Sequence, residues 1–309
     1  MEPRSVGELR VSAIGLGTMN FGSDWHGVGA LDDKAASSIL DLALERGVTL
    51  LDTADIYGRG AAEGMLGRLL GGRRKKLILA TKVLGEMREG DPSSGGLSRR
   101  HILEACEDSL RRLRTDWLDL YMPHHVDPAV PVDESLEAFD RLVRAGKVRV
   151  LGVSNFNPEQ LADWLGRAAA GARARPAFNQ VQFSLAASFA ARDVRPGVPL
   201  LAWSPLGGGL LTGKYAAKKR PAGRRKDPRK AFPSLPEERL APVVELLRKV
   251  AQLEGVAPAA AALGWVLSRP FVASAIVGAR TTAQLEESLQ ARELSAKSLA
   301  LLDRASSLV

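Results

Sequence analysis

Short apolar runs recur along this chain, separated by amphipathic stretches, and that alternation restricts the fold more than any other feature. Apolar runs occupy residues 13–16, 48–51, 77–80, 118–122, 148–153, 178–183, 199–203 and 272–277. Amphipathic stretches fill 33–47, 62–70, 98–113, 133–146, 158–170, 237–255 and 282–289. Several of these begin at a capping residue and stop at glycine, as at Asp32/Gly47 and Asp133/Gly146. Strands that alternate with helices pair in parallel, because each return to the sheet needs a crossover. Eight such units favour a closed barrel over an open, doubly wound sheet. The expectation is one α/β domain over residues 1–309, a (β/α)8 TIM barrel. Residues 5–12 would add an N-terminal β-hairpin around Gly7-Glu8 that plugs the barrel bottom, and 295–307 a C-terminal helix.

Composition narrows the function classes. One cysteine in 309 residues excludes an intrachain disulfide and fits a reducing cytoplasm. Cys106 shares helical spacing with Leu103, Leu110 and Leu113, which reads as a buried structural thiol. The polar start Met1-Glu2-Pro3-Arg4-Ser5 lacks an apolar signal core. The longest Ala-rich apolar run, 256–267, is too short for a membrane span, so no membrane partner is expected. Nine of the 43 basic residues and one of the 35 acids lie between 214 and 230, so this loop carries the whole excess of +8. Charge gathered in one loop argues against a nucleic-acid face and suits either a solvated loop or one that folds over a polyphosphate.

The chemistry concentrates where strands end. Asp52 ends the second apolar run, Tyr57 follows it, Lys82 ends the third and His124 the fourth. In a barrel of this kind, such positions converge on the active site. A phenol titrates near pH 10 and is a poor acid alone. A nearby ammonium eases release of its proton, and a carboxylate would keep that ammonium charged and aimed. The set suits protonation of a carbonyl oxygen during reduction. Two other motifs fail. Gly15-Leu16-Gly17 is followed by Asn20 in place of the third glycine of a Rossmann fingerprint, with no helix opening there. His124 and His125 are adjacent, and strand neighbours face opposite sides, so two zinc ligands are not expected from them.

Several segments resemble the aldo-keto reductase superfamily from about Leu9 to Leu289. They are Gly15-Leu16-Gly17-Thr18, Asp52-Thr53-Ala54-Asp55-Ile56-Tyr57-Gly58, Thr81-Lys82, Asp119 to His124, Gly152 to Phe156, Asn179-Gln180-Val181, Ala202 to Gly209 and Gly278-Ala279-Arg280. The likeness is to the bacterial branch near sugar and aryl-alcohol reductases. It implies a tetrad of Asp52, Tyr57, Lys82 and His124. Tyr57 would donate the proton, Lys82 paired with Asp52 would lower its pKa, and His124 would orient the substrate carbonyl. It also implies hydride from NADPH, a small-molecule carbonyl substrate and no metal. Gly17, Thr18, Met19 and Asp52 would border the cofactor. Ser154, Asn155 and Gln180 would hold the nicotinamide carboxamide, and Trp203 would stack on its ring. Ser204, Pro205, Leu206, Gly208 and Lys214 would meet the pyrophosphate, and Gly278 and Arg280 the 2′-phosphate. Gln284, Glu287 and Ser288 would lie beside the adenosine. Trp25 would overhang the substrate together with Tyr57 and His124.

The departures from that pattern are Ser288 for a frequent Asn, Ala62 for a frequent Ser, and Gln182-Phe183 for Glu-Tyr. The stretch between Asn179 and Trp203 is short, leaving 190–197 little more than a helical turn. Two further readings stand beside reduction. One is a non-catalytic NADPH-binding regulatory subunit of the same fold. The other is an isomerase or aldolase using Lys82 as a Schiff-base amine, against which the adjacent Asp52 counts.

Overall fold

The computed structural model describes residues 2–24, 27, 29–188, 194–214, 233, 235 and 237–307. A hairpin of β1 (Arg4–Val6) and β2 (Leu9–Val11) precedes the barrel. The first four barrel strands are β3 (Ile14–Gly17), β4 (Leu50–Asp52), β5 (Ile78–Val83) and β6 (Leu118–Pro123). Next come β7 (Val148–Leu151), β8 (Val153–Ser154), β9 (Asn179–Gln182), β10 (Leu200–Trp203) and β11 (Val272–Val277). All neighbours in this sheet are parallel, in the order β7-β6-β5-β4-β3-β11-β10-β9-β8.

The run 148–153 forms two short strands rather than one. Gly152 interrupts it: its amide donates to Tyr121 O on one side, and the Val153 amide donates to Phe178 O on the other. β7 therefore pairs with β6 and β8 with β9, which closes a cylinder of eight strand positions. A Cβ at Gly152 would fall 2.1 Å from the Phe178 ring, so only glycine admits this close approach.

Helices α1 (Asp33–Glu45), α2 (Ala61–Leu70), α3 (Arg99–Leu113), α4 (Val132–Arg144) and α5 (Pro158–Ala170) cover the first half of the barrel. Helices α6 (Glu237–Glu254), α7 (Pro258–Leu267), α8 (Thr282–Leu289) and α9 (Ala296–Ser306) follow. Asp32 caps α1 through Ala35 N, as its position implies. Asp133 does not cap α4: Pro131 stands at the N-cap, and the Asp133 carboxylate instead binds Arg167 and Arg173. Helix α7 arises from the Ala-rich run, whose even hydrophobicity hides any helical stripe. Every residue after Pro258 is buried, as expected for a helix apolar all round. Among the described residues no single helix is long and apolar enough to cross a membrane.

Val6, Leu9 and Val11 of the hairpin pack with Leu50, Ala80, Leu120 and Leu201 in one inner core, closing the N-terminal end of the cylinder. Arg4 fixes the hairpin there by donating to the carbonyls of Leu267 (2.6 Å), Arg269 (3.1 Å) and Val272. Among the described residues the opposite end stays open. Residues 190–193 and most of the basic loop, 215–230, lie outside the described residues, and 194–199 form no helix.

Candidate functional site

The C-terminal strand ends surround a cavity of about 690 Å³. Asp52 ends β4, and Lys82 is the penultimate residue of β5. The two are 3% and 1% exposed, and Lys82 Nζ donates to Asp52 Oδ1 at 2.8 Å. Lys82 Nζ also reaches Thr53 O at 2.8 Å and the Tyr57 hydroxyl at 3.3 Å, so all three of its hydrogens are directed. The other Asp52 oxygen accepts from Gln180 Nε2 at 2.7 Å. Tyr57 sits in the loop between β4 and α2, half-buried, with its ring edge-on to His124 at 5.9 Å.

Electrostatics differ from the sequence expectation in one respect. Burial pushes the Tyr57 phenol above its ordinary value; Lys82 pulls it down by charge and hydrogen bond, and Asp52 pushes it up. The net direction is up, because desolvation outweighs the ammonium. Lys82 thus limits the rise rather than producing a fall, and the phenol is protonated at neutral pH. Desolvation disfavours the Lys82 cation, but the Asp52 charge, with the hydrogen bonds to Asp52 and Tyr57, outweighs it and holds that group above its ordinary value. His124 is held well below the usual imidazole value by burial, then by the charge of Lys82 and by His125, so it is neutral. Its ring lies parallel to that of His125 at 5.5 Å, and both line the cavity. The expected divergence of these neighbours fails because β6 ends at Pro123, where strand alternation stops.

Away from this corner, Ser154, Asn155, Gln180 and Trp203 form one wall. Asn155 adopts a left-handed conformation, with φ of 57°. Its amide donates to His124 O and Ser154 Oγ, both at 3.0 Å, and accepts from Trp203 Nε1 at 2.9 Å. Both amide hydrogens are thereby engaged, and Asn155 ties His124 to Trp203. The Ser204-to-Gly209 turn continues that wall, and positive φ at Gly208 (65°) and Gly209 (94°) lets its backbone face the cavity. Lys214, Gly278, Arg280, Gln284, Glu287 and Ser288 line the far end, beside the α8 N-terminus capped by Thr281. The Ser288 hydroxyl is turned to Gln284 O at 3.0 Å.

Gly17, Thr18, Met19, Ser204, Pro205 and Leu206 also line the cavity. Lys82 does not, because it lies beneath Tyr57 and Asp52. Trp25 lies outside the described residues. Asn20, Ile56, Gly209, Thr212 and Ala259 line it too and were not singled out in the sequence. The third glycine of Gly207-Gly208-Gly209 gave a usable signal for one of them. The others depend on approaches between distant segments, such as Asn20 Nδ2 donating to Ala279 O at 2.9 Å.

The donor set fits a nicotinamide dinucleotide. Amides, a hydroxyl and an indole face the corner with the phenol, whereas two cations and a helix N-terminus stand at the other end. The volume lies in the range of cofactor sites.

Comparison with known proteins agrees with this build. The Aldo/keto reductase family profile matches residues 13–307. The uncharacterized oxidoreductase YrpG of Bacillus subtilis is 39% identical, over 93% of this chain and 89% of its own. Aldo-keto reductase YhdN of the same organism is 34% identical, over 93% and 87%. A probable voltage-gated potassium channel subunit beta of Arabidopsis thaliana is 32% identical, over 94% and 91%. A match of this extent, on a barrel of this construction, means that the chain belongs to the aldo/keto reductase family of oxidoreductases, which generally use NAD(P)H.

Proposed function

We propose that the protein is an NADPH-dependent carbonyl reductase with Tyr57 as proton donor, built as one domain over residues 1–309 and acting on a small-molecule aldehyde or ketone. The observation that carries this reading is the 3.3 Å approach of Lys82 Nζ to the Tyr57 hydroxyl at the cavity edge, with Asp52 at 2.8 Å holding the ammonium. A bound reduced nicotinamide would supply the hydride. Trp203 would offer its ring a flat face, while Gln180, through its second amide hydrogen, and Ser154, as an acceptor because its own hydrogen goes to Gln180 O, would hold its carboxamide. Asn155 would act mainly by fixing Trp203 and His124, since its hydrogens are engaged. Neutral His124 can donate one N–H to the substrate oxygen and orient it toward Tyr57. Tyr57 would then give its proton to that oxygen, with the charge left on the phenol stabilised by Lys82. Lys214 and Arg280 would meet phosphates, Arg280 favouring NADPH over NADH.

The test is NADPH oxidation with sugars, aryl aldehydes, quinones and methylglyoxal. Tyr57→Phe is expected to lower kcat by about 10²-fold or more with NADPH binding retained; unchanged kcat would refute the assignment. The Arabidopsis relative favours a second reading, a cofactor-binding regulatory subunit. That reading predicts NADPH binding without turnover across the panel. The complete Asp52, Tyr57, Lys82 and His124 set supports turnover.

A further inference from the structure

The segment that carries Tyr57 contains a second acid with no part in the proposed chemistry. Asp55 precedes Tyr57 by two residues, and its amide donates to Lys82 O at 3.2 Å. Its carboxyl is 0% exposed; the Ile56 backbone amide is a polar neighbour, and among the described residues neither oxygen has a well-formed hydrogen bond. Asp55 is absent from the large cavity. It lines a separate cavity of about 80 Å³ enclosed by this loop, the 87–94 segment and α3. His101 lines the same cavity, and its Nε2 is likewise buried without a partner. Thr53 Oγ1, just after β4, and the Tyr121 hydroxyl, within β6, share that condition. Buried polar groups are nearly always paired with protein or water. A cavity of this size has room for about two waters, and it reaches the surface beside the exposed side chains of Arg88 and Arg100.

We propose that Asp55 is a positioning residue for the Tyr57–Lys82 pair: a buried carboxylic acid that exchanges its proton with water in the small cavity and, while neutral, leaves the Lys82 charge free to act on the phenol. The groups around it come from every side. Glu63 approaches from α2, paired with Thr81 and Arg112. Arg112, His101, Glu104 and Asp108 belong to α3, Arg88 to the loop, Tyr121 to β6 and Lys82 to β5. Burial and then the Glu63 charge hold the Asp55 carboxyl well above the usual carboxylate range, against the weaker pull of the Ile56 backbone amide, then of Arg112 and Lys82. When it ionises, the O–H bond breaks, the proton passes to a cavity water and the electron pair stays on the carboxylate. The new negative charge makes Tyr57 hold its own proton more tightly, and reduction slows.

This inference rests on the role proposed for Tyr57, but its spectroscopic test does not need turnover. Infrared spectra of the full chain at neutral pH are expected to contain the carbonyl stretch of one protonated carboxylic acid that is missing in Asp55→Asn. The band should shift rapidly in D2O. Asp55→Asn is expected to lose the alkaline fall in kcat that the wild type shows before Tyr57 itself titrates, with little change in KM. If that variant does not fold, Ala105→Leu fills the small cavity while keeping the acid, and should slow exchange of the band at least tenfold. Absence of the band, exchange unaffected by filling the cavity, or superimposable alkaline limbs would each overturn the proposal. Failure of the reductase reading would look different: no NADPH oxidation by the wild type, with band and exchange intact.

Discussion

Lys82 illustrates how a buried charge is kept in place. It carries the only ammonium within reach of Tyr57 among the described contacts, and Asp52, Thr53 O and the phenol take its three hydrogens. Removing one member of a buried ion pair leaves the other unpaired in low dielectric, which costs about 3–5 kcal/mol. Lys82→Met is therefore expected to lose that much stability in urea titration, and adding Asp52→Asn should recover part of it. His124 gives a pH prediction. Its folded value lies below that of the unfolded chain, so in the window below about pH 6.5 the unfolded state takes up the proton first. Stability should fall as pH drops through that window and level off only below the folded value. His124→Gln should reduce this slope in pH-dependent denaturation. Cys106, by contrast, is pushed up to about 12 by burial, and so remains an inert part of the core.

At the scale of elements, the broken fifth strand closes the barrel. Its two halves serve different neighbours, and Gly152 between them lies against the Phe178 ring. Gly152→Ala must displace that ring or the strand, and overpacking of this kind costs about 1–3 kcal/mol. The expected result is a lower denaturation midpoint with an unchanged m-value, and partial rescue by Phe178→Leu. Helix α7 shows the complementary limit. An evenly apolar segment carries no periodicity, so neither its helical state nor its place under the 207–212 turn can be read from the pattern. Asp133 makes the same point at a helix start: its carboxylate joins Arg167 and Arg173, which only the packed arrangement of α4 and α5 brings near.

For the whole molecule, the open end of the barrel and the closed end divide the work. The hairpin seals the bottom with Val6, Leu9 and Val11, while the top presents the cavity lined by loops from both halves of the chain. A ligand that binds only the folded barrel must stabilise it, by ~2.7 kcal/mol at a hundredfold excess over Kd. NADPH is expected to raise Tm more than NADH at equal concentration. Arg280→Ala should weaken NADPH roughly tenfold or more, the value of a charge-assisted contact, and leave NADH nearly unaffected. A thermal-shift titration checks both. Equal losses for the two cofactors would place Arg280 away from the distinguishing phosphate.

Strand order, the helices other than α7, the hairpin, the terminal helix and the position of Asp52, Tyr57, Lys82 and His124 at or just after strand ends were legible from the amino-acid order. Each is written in local periodicity, capping and turn residues, which act over a few neighbours. The fold decided what depends on distance through space. It set burial, and therefore the upward direction of the Tyr57 phenol; it stacked His124 on His125 past the end of their strand. It engaged the Asn155 amide with His124 and Trp203, and left the Asp55 carboxyl without a well-formed hydrogen bond beside a second cavity. Desolvation and hydrogen bonding between remote segments are properties of the assembled interior, and no local pattern of residues encodes them.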